Sequence, residues 1–411
     1  MLGKQGSIAT IVVCQTASMS LWFSATAATA SSVAAGELSM QRAGMLTTAV
    51  QLGFVGGTLA AALLGIADRF DPRRVFAAAT CVAALCNLAL LGTALSSGGS
   101  VLLRFVCGAA LAGVYPVGMK MAATWAERAV GLMIGMIVGA LALGSSLPFL
   151  FGAAGGFGAA GGFGAAGGFD APMIIIASTI CATLSGIAIL AIRLGPRHRR
   201  ATAFRAGEAW RAFRQRPMLL ANAGYLGHMW ELYAMWAWIG AFLGWAMNAT
   251  RSALADHVSL LAFIVIAGGA AGSVAAGIIA DRLGRTTVTM AVMIVSGACA
   301  LIIGFTPELG ALVVVLVAVI WGITVVADSA QFSASVSELA PPELVGTMLT
   351  VQTCLGFLLT ILAIQLLPLV VELVTWRYAF GILAPGPFLG AVAMWRLRSR
   401  PEALRLAGGQ R

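Results

Sequence analysis

Gly277-Ile-Ile-Ala-Asp281-Arg282-Leu-Gly284-Arg285 stands at the mouth of a long apolar run. Leu64-Gly-Ile-Ala-Asp68-Arg69-Phe-Asp-Pro-Arg73-Arg74 stands at the mouth of another. The two aspartates, Asp68 and Asp281, are 213 residues apart in a chain of 411, close to half its length. A second pair keeps the spacing. Glu127-Arg-Ala-Val-Gly131 and Glu343-Leu-Val-Gly346 also follow apolar runs, and their glycines are 215 apart. The chain reads as one unit written twice.

What is duplicated follows from composition. Sixty per cent of the residues are hydrophobic and ten per cent are charged, against roughly a quarter charged in a soluble domain. That excludes a soluble enzyme. A helix needs about 20 apolar residues to cross a ~30 Å hydrocarbon layer. Twelve such runs are present, at 8–33, 45–67, 74–95, 100–122, 129–151, 172–194, 218–245, 257–280, 287–305, 310–334, 345–370 and 378–396. The predicted fold class is an all-α polytopic membrane protein of two pseudo-symmetric six-helix bundles. Residues 1–194 form the first, 195–217 a basic linker, and 218–411 the second with a short tail.

Basic residues set the orientation. With the N-terminus inside, 21 of the 25 Lys and Arg residues fall on the inner side, and only Arg42, Arg251 and Arg377 fall outside. The positive-inside rule then places both termini in the cytoplasm of a cell (inner) membrane. The same distribution argues against nucleic acid as a partner, because the arginines are divided among loops. Lys4 and the small residues near Ala27 imitate a signal peptide, but removing that segment reverses the bias downstream, so it reads as an uncleaved first span. Phe204–Phe213 in the linker reads either as an amphipathic helix on the inner leaflet or as plain solvated chain. Phe-Gly-Ala-Ala-Gly-Gly, repeated three times from Phe151 to Gly168, reads as an outside loop, since each glycine costs a helix roughly 1 kcal/mol against alanine.

A membrane protein built from two copies of one bundle points to a transporter, whose central site opens to either side in turn. No cluster of catalytic or metal-binding side chains is visible, so an enzyme is not expected. No phosphate-binding Gly-x-x-x-x-Gly-Lys-Ser/Thr loop is present for a primary pump.

The two Asp-Arg loops resemble the signature between spans 2–3 and 8–9 of the major facilitator superfamily, and the similarity extends over essentially the whole chain. The second copy keeps Gly277, Asp281, Arg282, Gly284 and Arg285. The first keeps Asp68, Arg69 and Arg73, but has Leu64 and Asp71 where the pattern has glycines and Pro72 where it has an arginine. The resemblance implies a gate latch, for which a carboxylate at a helix end beside arginines is physically suited. Leu103-Arg104-Phe-Val-Cys-Gly108 resembles the superfamily's span-4 motif, in which the arginine is associated with proton coupling. The overall style is distantly similar to nitrate/nitrite porters, yet spans 2 and 8 carry no arginine to face an anion.

Ionisable groups inside spans are costly, and they mark candidate sites. Glu231 falls near the middle of span 7 and is a candidate for proton coupling or substrate contact, with a buried pair to a cation as the alternative. His228 lies one helical turn earlier on the same face, placed to share a proton or simply to pack. Asp328 in span 10 is a second site carboxylate or a gate residue. Arg104 neutralises an anionic cargo or answers one of these acids. Tyr233 and Trp22 are cavity candidates because spans 7 and 1 are repeat equivalents in the superfamily. Gln15, Gln51, Asn87, Asn222, Gln331, Gln352 and Gln365 offer hydrogen bonds to a solute.

The expected function is secondary transport of a small organic or anionic solute, coupled to a proton or another ion, by a monomer that needs no cofactor. Efflux of hydrophobic compounds by an antiporter is the alternative.

Overall fold

Long apolar runs punctuated by caps and glycines become helices. The computed structural model describes residues 3–125, 130–154, 171–196 and 206–410, and no strand occurs among them. The crossings are α1 (Lys4–Ala28), α2 (Met40–Leu64), α3 (Pro72–Ala89), α4 (Gly98–Leu111, resuming as Tyr115–Ala123), α5 (Val130–Ala154) and α6 (Ala171–Ala188). After the linker come α7 (Arg216–Ala249), α8 (Val258–Leu283), α9 (Arg285–Ile302), α10 (Ala311–Ala327, resuming as Ser329–Leu339), α11 (Val345–Ala379) and α12 (Pro385–Arg398).

Among the described residues, ten helical stretches are long and apolar enough to cross a membrane. One of them, Val345–Arg398, is two crossings joined at a kink where Thr375 takes a φ of 62°. The remaining crossing, α7, is 34 residues long but is diluted by Asn222, His228, Glu231 and its indoles. The twelve predicted crossings are therefore all present.

Local chemistry sets the helix ends. The Ser39 hydroxyl accepts from Arg42 N at 3.2 Å and opens α2, and Asp71 accepts from Arg73 N at 2.9 Å and opens α3, both ordinary N-caps. Gly284 separates α8 from α9 with a φ of 91°, a backbone conformation that disfavours any residue with a Cβ.

The first six crossings pack on one another and so do the last six. The halves meet where α5 lies along α8 and α2 along α11. Small residues make the α5–α8 contact close: a Cβ added at Gly135 would stand 2.9 Å from Ser273 O, and one at Gly139 would stand 3.2 Å from Ala270 O. The irregular glycines of α5 thus serve a tight helix interface.

Polar side chains tie the first half internally. Asn87 of α3 accepts from Ser24 of α1 at 2.5 Å and donates to Ile175 O and Thr179 Oγ1 of α6 at 3.1 and 3.0 Å. Both chain ends lie at the same end of the molecule. Ser7 accepts from Arg193 N at 3.0 Å, Gly195 N donates to Thr124 at 2.8 Å, and Ala407 N donates to Glu338 at 3.1 Å.

Ala206–Phe213 is a short helix within the segment where an amphipathic one is considered. α5 runs on to Ala154, so the first residues of the Phe-Gly-Ala-Ala-Gly-Gly stretch are helical rather than loop. The rest of that stretch, Glu127 with Arg128, and linker residues 197–205 lie outside the described residues, as does the Asp68 side chain.

Candidate functional site

A cavity of about 750 Å³ lies between α2, α4 and α5 on one side and α7, α10 and α11 on the other. Its two walls differ in chemistry. α10 presents Ser329, Ser333 and Ser337, each one turn beyond the last, and α11 adds Thr347, Thr350 and Thr353. The facing wall is built mostly of alanine, glycine, valine, isoleucine and methionine, relieved by Thr58, Tyr115 and Lys120. Hydroxyls spaced along one side of an otherwise apolar pocket fix the orientation of an amphipathic solute.

Aromatic rings form the inner limit of the cavity. Tyr233, Trp236 and Phe357 line it. Trp22 is wholly buried and packs against Phe54, Tyr233 and Phe357 at 5.0, 5.8 and 5.4 Å between ring centroids. Beyond the rings the halves are in contact: Gln365 of α11 donates to Thr48 of α2 at 2.9 Å, and a Cβ at Gly44 would sit 3.2 Å from the Trp238 ring. In the other direction the lining continues through Lys120, Glu338 and Gly346 at the end that carries both termini. The site is thus open toward one end and shut toward the other.

The intramembrane acids sit behind the α7–α10 wall. Glu231 is fully buried, accepting from Trp321 Nε1 at 2.7 Å and from Ser296 Oγ at 2.8 Å. It does not line the cavity in this conformation, contrary to the expectation that it faces the solute, because α7 turns it toward α9 and α10. No cation pairs with it among the described residues. His228 turns instead to Asp328, with Nδ1 2.8 Å from the carboxylate Oδ1. Asp328 stands at the break in α10, between Ala327 and Ser329. Among the described residues, His228 Nε2 is buried without a hydrogen-bond partner.

Arg104 is also fully buried, and among the described residues it answers no acid. Its Nη1 donates to Leu21 O at 2.9 Å and Ser24 Oγ at 3.3 Å, and its Nη2 donates to Trp22 O. It therefore braces α1 beside the aromatic plug. The candidate amides are used elsewhere or stay inside the bundles. Asn87 and Gln365 are engaged as above, and Gln331 accepts from Arg285 at 2.9 Å. None of the seven lines the cavity.

At the mouth, Arg285 is the organising group. It is buried, and it donates to Glu338 through Nε at 2.9 Å and Nη2 at 2.6 Å, with Asp281 at 3.7 Å. This bidentate pair is the strong form of an Arg–carboxylate contact. Glu338 is not among the residues singled out from sequence, and only its place at the inner end of a span hints at it. The tail reaches the same carboxylate. Residues 401–409 bury Ala403 and Leu406 and deliver the Ala407 N–H to Glu338. Arg282 is exposed, and Gly277 is buried in α8. In the first loop Arg73 pairs with Asp71 at 2.6 Å and donates to Ile192 O at 3.1 Å, while Arg69 is exposed. The guanidinium of Arg73 holds the Asp71 carboxyl below its ordinary range.

A family model of the Major Facilitator Superfamily matches residues 8–364 and again 232–411. The chain belongs to this superfamily. Its overlapping matches accord with the repeat read from the two loops, and Major Facilitator Superfamily members are transporters rather than enzymes. Among solved structures, the nucleoside transporter NupG is similar at 14% identity and a TM-score of 0.68, covering 96% of this chain and 99% of that one. The proton:xylose symporter XylE, bound to 6-bromo-6-deoxy-D-glucose, is similar at 16% identity and a TM-score of 0.67, covering 96% of each chain. At this identity the likeness establishes the superfamily fold. Curated protein sequences give no significant match.

Proposed function

We propose that this superfamily member is a proton-coupled secondary transporter of a small organic solute that presents hydroxyl groups or an anionic group. Its two halves, 1–194 and 218–411, rock about the cavity across the 195–217 linker. The observation that carries this is the cavity itself: one hydroxyl wall, one apolar wall, an aromatic plug at one end and an opening at the other. Lys120 on its lining suits an anionic group, whereas Arg285 is engaged by Glu338. The structural neighbours are a nucleoside transporter and a proton:xylose symporter, whose cargoes carry several hydroxyls, and this supports the same class. Nitrate is not proposed, since α2 and α8 place no arginine in the cavity.

Glu231, His228 and Asp328 are the proposed coupling groups. A buried carboxylate held by neutral donors takes up and releases a proton as its surroundings alternate between apolar and wet. Arg104 and Trp22 position the plug, and Tyr233 contacts the solute. The protein is placed as a monomer in the cell inner membrane with both termini cytoplasmic, in line with its basic loops. A second reading, efflux of hydrophobic compounds, is favoured by the apolar wall alone.

Proteoliposomes with an imposed pH gradient, offered labelled sugars, nucleosides, organic anions and lipophilic cations, separate the two readings. Gradient-driven accumulation of a polar solute supports the first, and movement of lipophilic cations alone supports the second. Glu231→Gln is expected to abolish accumulation and retain exchange. Unchanged accumulation in that variant removes Glu231 from coupling.

A further inference from the structure

A second concave site lies outside the gate and cavity, at the end of the molecule that carries both termini. It is a groove of about 580 Å³ between the start of α7 and the end of α12, lined by Arg216, Leu219, Trp395, Arg396, Ser399 and Arg400 among others. Three arginines therefore converge on one hollow. Among the described residues none of the three has a carboxylate partner, and the nearest acid in sequence, Glu402, is not part of the lining. Like charges gathered without a counter-charge repel one another unless an anion sits among them.

The apolar part of the groove decides what kind of anion fits. Trp395 is 60% exposed and Leu219 is 41% exposed, directly beside the arginines. α7, at 34 residues, is about 50 Å long, more than the ~30 Å hydrocarbon layer requires. Its first turns therefore lie at headgroup level, with Leu219 about 5 Å nearer the acyl chains than Arg216. A soluble phosphate uses the arginines and leaves the indole and leucine in contact with nothing that matches them. A phospholipid uses both, and basic pockets between helices at this level suit anionic headgroups.

We propose that the α7–α12 groove binds the phosphate headgroup of an anionic phospholipid, with its acyl chains running along Leu219 and Trp395. Arg216, Arg396 and Arg400 hold the phosphate oxygens, while the Ser399 hydroxyl at the rim donates to Trp395 O at 3.1 Å. The site is separate from the solute cavity, and it faces the lipid leaflet rather than the gap between the halves.

The test uses the purified full chain in detergent, titrated with phosphatidylglycerol, phosphatidylcholine or inorganic phosphate, and read by thermal unfolding and by native mass spectrometry. Phosphatidylglycerol is expected to raise the unfolding temperature and remain bound, while the other two do neither. Each of Arg216→Gln, Arg396→Gln and Arg400→Gln is expected to weaken binding about fivefold, from the contribution of one basic residue at an anionic surface. Arg405→Gln, exposed at the same end but outside the groove, is expected to bind as wild type. An undiminished phosphatidylglycerol response in all three variants overturns the proposal, and so does equal protection by inorganic phosphate. Quenching of Trp395 by brominated phosphatidylglycerol, taken as the difference between wild type and Trp395→Phe, gives a check that needs no arginine variant. No difference in quenching also overturns it.

Discussion

The two Asp-Arg loops follow one pattern but end in different structures. In the second, α8 runs unbroken to Leu283, Gly284 turns the chain at a φ of 91°, and Arg285 goes inward to Glu338. In the first, α2 stops at Leu64 on Gly65, a single turn Ile66–Arg69 follows, and Asp71 caps α3 while holding Arg73 near the surface. Aspartate in place of the second glycine, and Pro72 in place of the arginine that follows it, account for the difference. Asp71 sits at a φ of −61°, so the first loop lacks the left-handed turn that sends the arginine of the second loop inward. One loop sets an ion pair on the lining of the cavity, and the other is a helix start.

This contrast can be broken experimentally. The largest effect is expected from Arg285→Ala, which strips a partly buried carboxylate of its partner and destabilises by about 3 kcal/mol, with loss of transport. Thermal unfolding in detergent and uptake in liposomes measure the two. A stability loss no greater than that of Arg73→Ala erases the distinction between the loops. Next comes Gly284→Ala, where the left-handed backbone costs on the order of 1–3 kcal/mol. The same unfolding assay reads it, and a neutral result means that the loop relaxes.

Asp71→Ala removes a cap and a half-buried pair, for a loss of about 1 kcal/mol. Arg73→Ala, a surface pair, is expected to fall below about 1 kcal/mol. The smallest effect is a pH dependence. The folded-state pKa of Asp71 is lowered, chiefly by its hydrogen bond from Arg73. Its contribution is therefore complete above the ordinary carboxylate value of about 4 and fades as pH falls through the lowered one. The difference in unfolding temperature between wild type and Asp71→Asn should shrink in that acid window and stay flat above it.

Much of this fold is legible before any coordinates, because twelve apolar runs, a half-length repeat and skewed arginines all depend on local composition. The site is legible in part. Arg285 announces itself through the motif, but Glu338 does not, since the pairing joins residues 53 positions apart. His228 lies on the same helix face as Glu231, yet it pairs with Asp328. That choice depends on how the broken helix α10 is rotated, which no spacing within α7 reveals. The serines at 329, 333 and 337 have a four-residue period in plain view, but sequence does not tell a cavity-facing stripe from a lipid-facing one.

The turn at residues 406–408 has a practical consequence for anyone handling this protein. Ala407 adopts a φ of 46° and lends its amide to the carboxylate that Arg285 grips, so the Arg285–Glu338 pair is wired to residues 406–408. A fluorescent reporter or affinity handle fused after Arg411 is expected to pull on that wire, and the same fusion ahead of Lys4 to leave it slack.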